Sequence, residues 1–184
     1  METYRLLMGF PALALVALAA ATDWRSRRIP NWLTFSLALG GLAQSAAFAA
    51  TCTPAQSVLG LATGFALTFV LFALRAVQGG DVKLLAAVGA WVGPVGALQL
   101  FCVEAVVGAV MVLAQSAAQR RLGKLLNNTA VLAVNLLHVR DVGLDHVAAT
   151  GQSTRTVEVR LPYAVPLLIA VALLVAHSAL PGKG

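Results

Sequence analysis

The sequence predicts an all-α, polytopic membrane protein of about six transmembrane helices. Three observations predict it. Only 20 of the 184 residues are charged, whereas an average soluble chain of this length would carry about 46. Hydrophobic residues make up 59% of the chain, and the mean hydropathy is +0.84. The apolar residues also fall in runs near the length of about 20 that a helix needs to cross a hydrocarbon core. This composition excludes disorder, which requires low hydrophobicity and high net charge. It also leaves too few polar side chains to cover an ordinary soluble domain. A single integral membrane domain over residues 1–184 is expected.

The first apolar run is Tyr4–Thr22. It competes with a secretory signal, because Ala17-Leu18-Ala19 fits a small-x-small cleavage site. Glu2 offsets Arg5 ahead of it, and Arg25, Arg27 and Arg28 follow directly. A basic cluster there resists translocation, which favours a retained helix. A basic loop, Asp23–Asn31, is expected next, with Pro30 as a breaker. The second run is Trp32–Ala50, then an uncharged turn, Thr51–Pro54, and a third run over about Ala55–Leu74. Arg75–Lys83 is a short polar link. Leu84–Ala118 holds 35 residues with one charge, Glu104, which is long for one crossing and short for two. Trp91-Val92-Gly93-Pro94 supplies a break, so a short fourth helix and a fuller fifth are predicted, with a re-entrant fourth segment as the alternative. Arg120–Arg160 is the one long polar stretch, and its apolar piece Thr129–Val139 suits a short helix along the interface. The last helix is Leu161–Leu180.

Charge sets the orientation. With Asp23–Asn31, Arg75–Lys83 and Arg120–Arg160 in the cytoplasm, 11 of the 13 basic residues lie inside and only Arg5 and Lys183 outside. That is the asymmetry of the positive-inside rule, with six crossings and both termini outside the cytoplasm. The net charge of +6 then reflects topology, and no nucleic-acid partner is expected.

The seven acids are the informative minority, because a carboxylate near a bilayer needs a reason. Glu2 is terminal, and Asp141, Asp145 and Glu158 fall among basic residues of the long polar stretch. Asp23 and Asp81, 58 residues apart, each sit at the cytoplasmic edge of an apolar run. Brought together they would share a proton, one acting as general base on water and the other polarising a carbonyl. The competing reading pairs Asp23 with nearby arginines and makes Asp81 a helix cap. Gly79 and Gly80, preceding Asp81, would allow positive φ and the close approach of another chain. Glu104, inside the fifth run, reads as a helix-packing contact, a proton-linked site or a third member of the active site.

Other chemistries lack their residues. Cys52 and Cys102 form no CxxC, and a disulfide between them stays open. His138, His146 and His177 have no nucleophile at recognisable spacing, and no Walker loop, HExxH or dinucleotide fingerprint occurs. No metal or cofactor is expected.

The run Asp23-Trp24-Arg25-Ser26-Arg27-Arg28-Ile29-Pro30-Asn31-Trp32-Leu33-Thr34 resembles the first aspartate region of the prepilin peptidases, or type IV leader peptidases. Gly79-Gly80-Asp81-Val82-Lys83-Leu84-Leu85-Ala86-Ala87-Val88-Gly89 resembles their second, of GxGD type. Leu161-Pro162-Tyr163-Ala164-Val165-Pro166 is similar to their closing Pro-Tyr helix start. The resemblance implies an aspartic endopeptidase of the bacterial cytoplasmic membrane that removes the basic leader of a prepilin or pilin-like partner on the cytoplasmic side. It implies Asp23 and Asp81 as the catalytic pair, with Gly79, Gly80 and Lys83 shaping the backbone and substrate approach. Gln78 stands where the family has its first motif glycine. Longer members carry a CxxC-bearing cytoplasmic insertion and N-methylate the mature pilin. The absence of that insertion between the first two runs resembles the short branch of Flp/Tad-type pili and implies no methylation and no zinc. A non-catalytic scaffold of a pilus or secretion machine and a proton-coupled small transporter are the rival classes.

Overall fold

The computed structural model describes the backbone of residues 2–48, 52–74, 77–120, 122–123, 127–131 and 164–179, and the side chains among these from residue 10 to residue 176. Every regular element among the described residues is helical: α1 (Glu2–Ser26), α2 (Asn31–Ala47), α3 (Pro54–Ala73), α4 (Gly79–Ala118) and α5 (Ala164–Ala179). The first three match the expected runs in order, and α4 holds the expected fourth and fifth segments. Most of the polar stretch, including His138, His146, Asp141, Asp145 and Glu158, lies outside the described residues, as do Pro162 and Tyr163. Of the expected interfacial helix Thr129–Val139, only residues 129–131 are described, and they are helical.

Two of the boundaries that differ from the sequence expectation carry an aspartate. α1 runs past Thr22 to Ser26, so Asp23 lies in its last turn instead of in the loop. The Ser26 hydroxyl donates to the Thr22 carbonyl at 2.8 Å, and Arg27 N–H closes on the Asp23 carbonyl at 2.8 Å. Arg27 then ends the helix with a left-handed φ of 52°. α4 starts at Gly79, so Asp81 and Lys83 are helical and not part of a link. Pro54 opens α3 rather than closing the turn before it. Thr53 caps that helix, exchanging side-chain bonds with Gln56 in a capping box.

The break expected at residues 91–94 is at Gly93, whose φ of 74° and ψ of −179° interrupt α4. Pro94 follows and has no N–H, so the carbonyl of Ala90, four residues earlier, loses its helical donor. Ser57 of α3 replaces it: its hydroxyl donates to the Ala90 carbonyl at 2.6 Å in a buried position. The two helices touch along a stripe of small residues, Ser57, Gly60, Gly64 and Thr68, all buried. A Cβ on Gly60 would collide with the Gly89 carbonyl, and one on Gly64 would lie 2.6 Å from the Leu85 carbonyl. Such small-residue stripes let membrane helices pack backbone to backbone. On the other side of α4, Trp91 lies against Gly40 and Gly41 of α2, and its indole N–H donates to the Leu37 carbonyl at 2.7 Å. α5 packs on α1 and α4, and Val16, Ala19, Leu84, Leu85, Val88, Leu100, Leu167 and Ala170 join the core.

The distribution of polarity is that of a membrane protein. Asp23, Gln44, Ser45, Ser57, Thr68, Asp81 and Glu104 are buried, while Phe35, Leu39, Leu59, Phe65, Phe69, Val70, Val106 and Val110 face outward. In water that surface would be a large exposed apolar patch. In lipid it is the favoured arrangement, because backbone polar groups are satisfied within helices. α3 and α4 are each long and apolar enough to cross a bilayer, and α5 is a shorter apolar helix.

Candidate active site

The two aspartates come from different helix ends. Asp23 sits in the last turn of α1 and Asp81 in the first turn of α4, and both are buried, at 7% and 6% exposure. The connection that follows Asp23 reaches the helix start that carries Asp81. Topology explains this: the α1–α2 and α3–α4 connections fall at one end of an antiparallel set, and the α2–α3 connection at the other. Two contacts hold the first connection against the start of α4. Ile29 packs beside Gly80, at 3.5 Å from where a Cβ would stand. Lys83 Nζ donates to Asn31 Oδ1 at 3.1 Å. Leu33 and Leu84, both fully buried, lie in the core beneath.

Each carboxylate is fixed by a main-chain donor at a helix start. Asp81 Oδ2 accepts from Gln78 N–H at 2.8 Å, so Asp81 does cap its own helix, as the structural alternative anticipated. Asp23 Oδ2 accepts from Ala164 N–H at 3.1 Å, in the first described turn of α5. Arg25, Arg27 and Arg28 are exposed, and the partner of Asp23 is this backbone donor rather than an arginine. N–H groups in a helix's first turn lack intrahelical acceptors and favour an anion. Among the described residues each aspartate spends one oxygen in this way.

The glycines differ from expectation. Gly79 and Gly80 are helical, and Gly93 is the one glycine with positive φ among the described residues. A Cβ at Gly79 would meet Phe72 at 3.7 Å, and at Gly80 Ile29 at 3.5 Å, both ordinary contacts. The shape before Asp81 also explains why glutamine is accepted at position 78. Its φ of −95° and ψ of 160° are extended backbone open to any residue.

Glu104 is buried on the second part of α4, near Leu100 in sequence and far along the helix from Asp81. Cys52 and Cys102 are both free thiols, so the open disulfide is not formed. Cys52 is buried in the α2–α3 turn, where desolvation pushes its thiol pKa up and makes it a poor nucleophile. Sequence reading missed Ala164 as the partner of Asp23, because a main-chain donor leaves no side-chain signal. It also missed Ser57, which the missing N–H of Pro94 could have suggested.

Residues 10–113, more than half the chain and including both aspartates, match the type IV leader peptidase family. This chain belongs to that family. It is 38% identical over 96 residues to the prepilin leader peptidase/N-methyltransferase of Klebsiella pneumoniae, covering 48% of this chain and 41% of the relative. The chain thus spans about two fifths of the length of the curated relative it matches. No solved structure matches it at a significant level. Within this type IV leader peptidase family member, α5 lies outside the matched residues.

Proposed function

We propose that this type IV leader peptidase family member is a membrane aspartic endopeptidase. It would cleave the leader from a prepilin or pilin-like precursor at the cytoplasmic membrane face, without N-methylating the product. The observation that carries the reading is that Asp23 and Asp81, 58 residues apart, are both buried at the same end of the helix set. Family membership supports the substrate class. The charge asymmetry supports a multi-pass protein of the bacterial cytoplasmic membrane with that end inside and both termini outside.

The chemistry follows from the pair. Two carboxylates brought to close range around a substrate would share one proton, because like charges do not both ionise easily there. The charged one takes a proton from water as the water oxygen bonds to the scissile carbonyl carbon. The protonated one donates to the carbonyl oxygen. Collapse of the tetrahedral intermediate breaks the C–N bond, the leaving amine takes a proton, and the pair returns to its starting state. Gly79 and Gly80 leave the first turn of α4 uncovered by side chains of their own, where an extended substrate strand would lie. Lys83 holds the first connection in place through Asn31. The arginines of that connection would repel a basic leader, so their role is topological.

Asparagine tests the reading cleanly, because its side-chain carbonyl can still accept the N–H of Gln78 or Ala164. Asp23→Asn and Asp81→Asn should therefore fold, and cleavage of a prepilin precursor in lipid, read by mass, should fall by about 10²- to 10⁴-fold. Near-normal cleavage by either variant would overturn the assignment and favour a scaffold.

A further inference from the structure

Asp23 and Asp81 are fixed in different ways. The donor to Asp81 is three residues away, at the start of the same helix. The donor to Asp23 is 141 residues away, on another helix that lies outside the stretch matching the family. Ala164 is fully buried, and its N–H would cost stability without an acceptor. The carboxylate supplies one, and the bond fixes the rotation of that carboxylate about its side-chain torsions. An aspartate side chain has two soft torsions, and a catalytic carboxylate works only when held close to its productive orientation.

We infer that the backbone N–H of Ala164 is a positioning element of the active site, holding the Asp23 carboxylate in the orientation in which it receives the proton of the attacking water. The last helix thereby completes a site whose carboxylates both come from the matched residues. This inference rests on the aspartic peptidase reading above.

The test removes the N–H in the full chain reconstituted in lipid with a prepilin precursor as substrate. Ala164→Pro deletes the donor at a helix start, where proline is tolerated. Replacing Ala164 by lactic acid turns the preceding amide into an ester and keeps the buried methyl, which guards against a failure of the proline variant to pack. Ala164→Gly keeps the N–H. The ester should lower kcat by about 10- to 100-fold, the scale of a hydrogen bond to a charged group, with KM unchanged. Ala164→Gly should retain kcat within about threefold of the parent, since only a methyl is lost. Wild-type kcat in the ester variant would overturn the inference, and so would an equal fall in Ala164→Gly, which would assign Ala164 to packing. Asp23→Asn is assayed alongside. If it cleaves normally, the peptidase mechanism itself has failed. If it is inactive while the ester is fully active, only the positioning role has failed.

Discussion

Asp81 accepts the main-chain N–H of Gln78 at 2.8 Å, so the residue that departs from the family's glycine pattern reaches the carboxylate through an atom glycine also has. This separates the motif's chemistry from its spelling at position 78. The extended φ and ψ there demand no glycine, and Gln78 itself is exposed.

Gln78→Gly should consequently leave cleavage within about twofold of the parent while lowering stability slightly, by about 0.4–1 kcal/mol through greater freedom of the unfolded chain. Parallel activity and thermal-unfolding measurements in detergent check this. A large loss of activity at unchanged stability would show that the glutamine side chain takes part in the reaction.

The proposed mechanism gives Asp23 and Asp81 one proton to share, and a pH dependence follows from it. Cleavage should peak where the pair holds one proton and fall on both sides: at low pH because no charged carboxylate remains to accept from water, at high pH because none remains to donate. The limbs report the pair and not either residue alone. Measuring kcat/KM across pH in lipid tests it. A rate that rises on one side only, to a plateau, would rule out a pair sharing one proton.

Much of the fold was legible because lipid imposes a strong pattern. Four helices and the Gly93-Pro94 break followed from apolar length and from residues that interrupt helices. The ends were less legible where local bonds decide them. Arg25 and Ser26 suggested a loop by polarity, yet both are compatible with helix, and α1 continues until Arg27. Gly79 and Gly80 suggested a link by propensity, yet the Asp81 cap starts α4 there. The aspartates could be read as a pair because acids are rare in this chain, and the flanking motifs raised that reading above helix capping. Half of the capping reading holds, since Asp81 caps its own helix, while Asp23 bonds a backbone N–H and not an arginine. The Ala164 contact was beyond reach, since it joins a backbone atom to a side chain 141 residues away.

Ser57→Ala should be costly for its size. Pro94 deprives the Ala90 carbonyl of its helical donor, and the Ser57 hydroxyl at 2.6 Å replaces it in a buried site. Alanine would leave that carbonyl unpaired where no water reaches it, at a cost of about 1–3 kcal/mol. The change should appear as a lower unfolding midpoint in detergent, with Ser57→Thr retaining part of the bond. An unchanged midpoint in Ser57→Ala would mean that the kinked segment finds another donor.

Two glycine substitutions should have opposite effects. At Gly60 a Cβ would meet the Gly89 carbonyl, a backbone group that can yield only if α3 and α4 separate. Gly60→Ala should therefore cost about 1–3 kcal/mol, the range for overpacking a tight contact. It should also reduce cleavage, because α4 carries Asp81 in its first turn. At Gly80 a Cβ would stand 3.5 Å from Ile29, an ordinary contact, and the position is helical. Gly80→Ala should fold at least as well as the parent and gain up to about 1 kcal/mol of helix propensity. Unfolding midpoints of the two variants in the same detergent decide the matter. If Gly80→Ala unfolds more easily than Gly60→Ala, the close approach of α3 and α4 is not what glycine secures in this fold. If Gly80→Ala is stable but no longer cleaves, the packing of Ile29 on Gly80 matters to the site and not only to the fold.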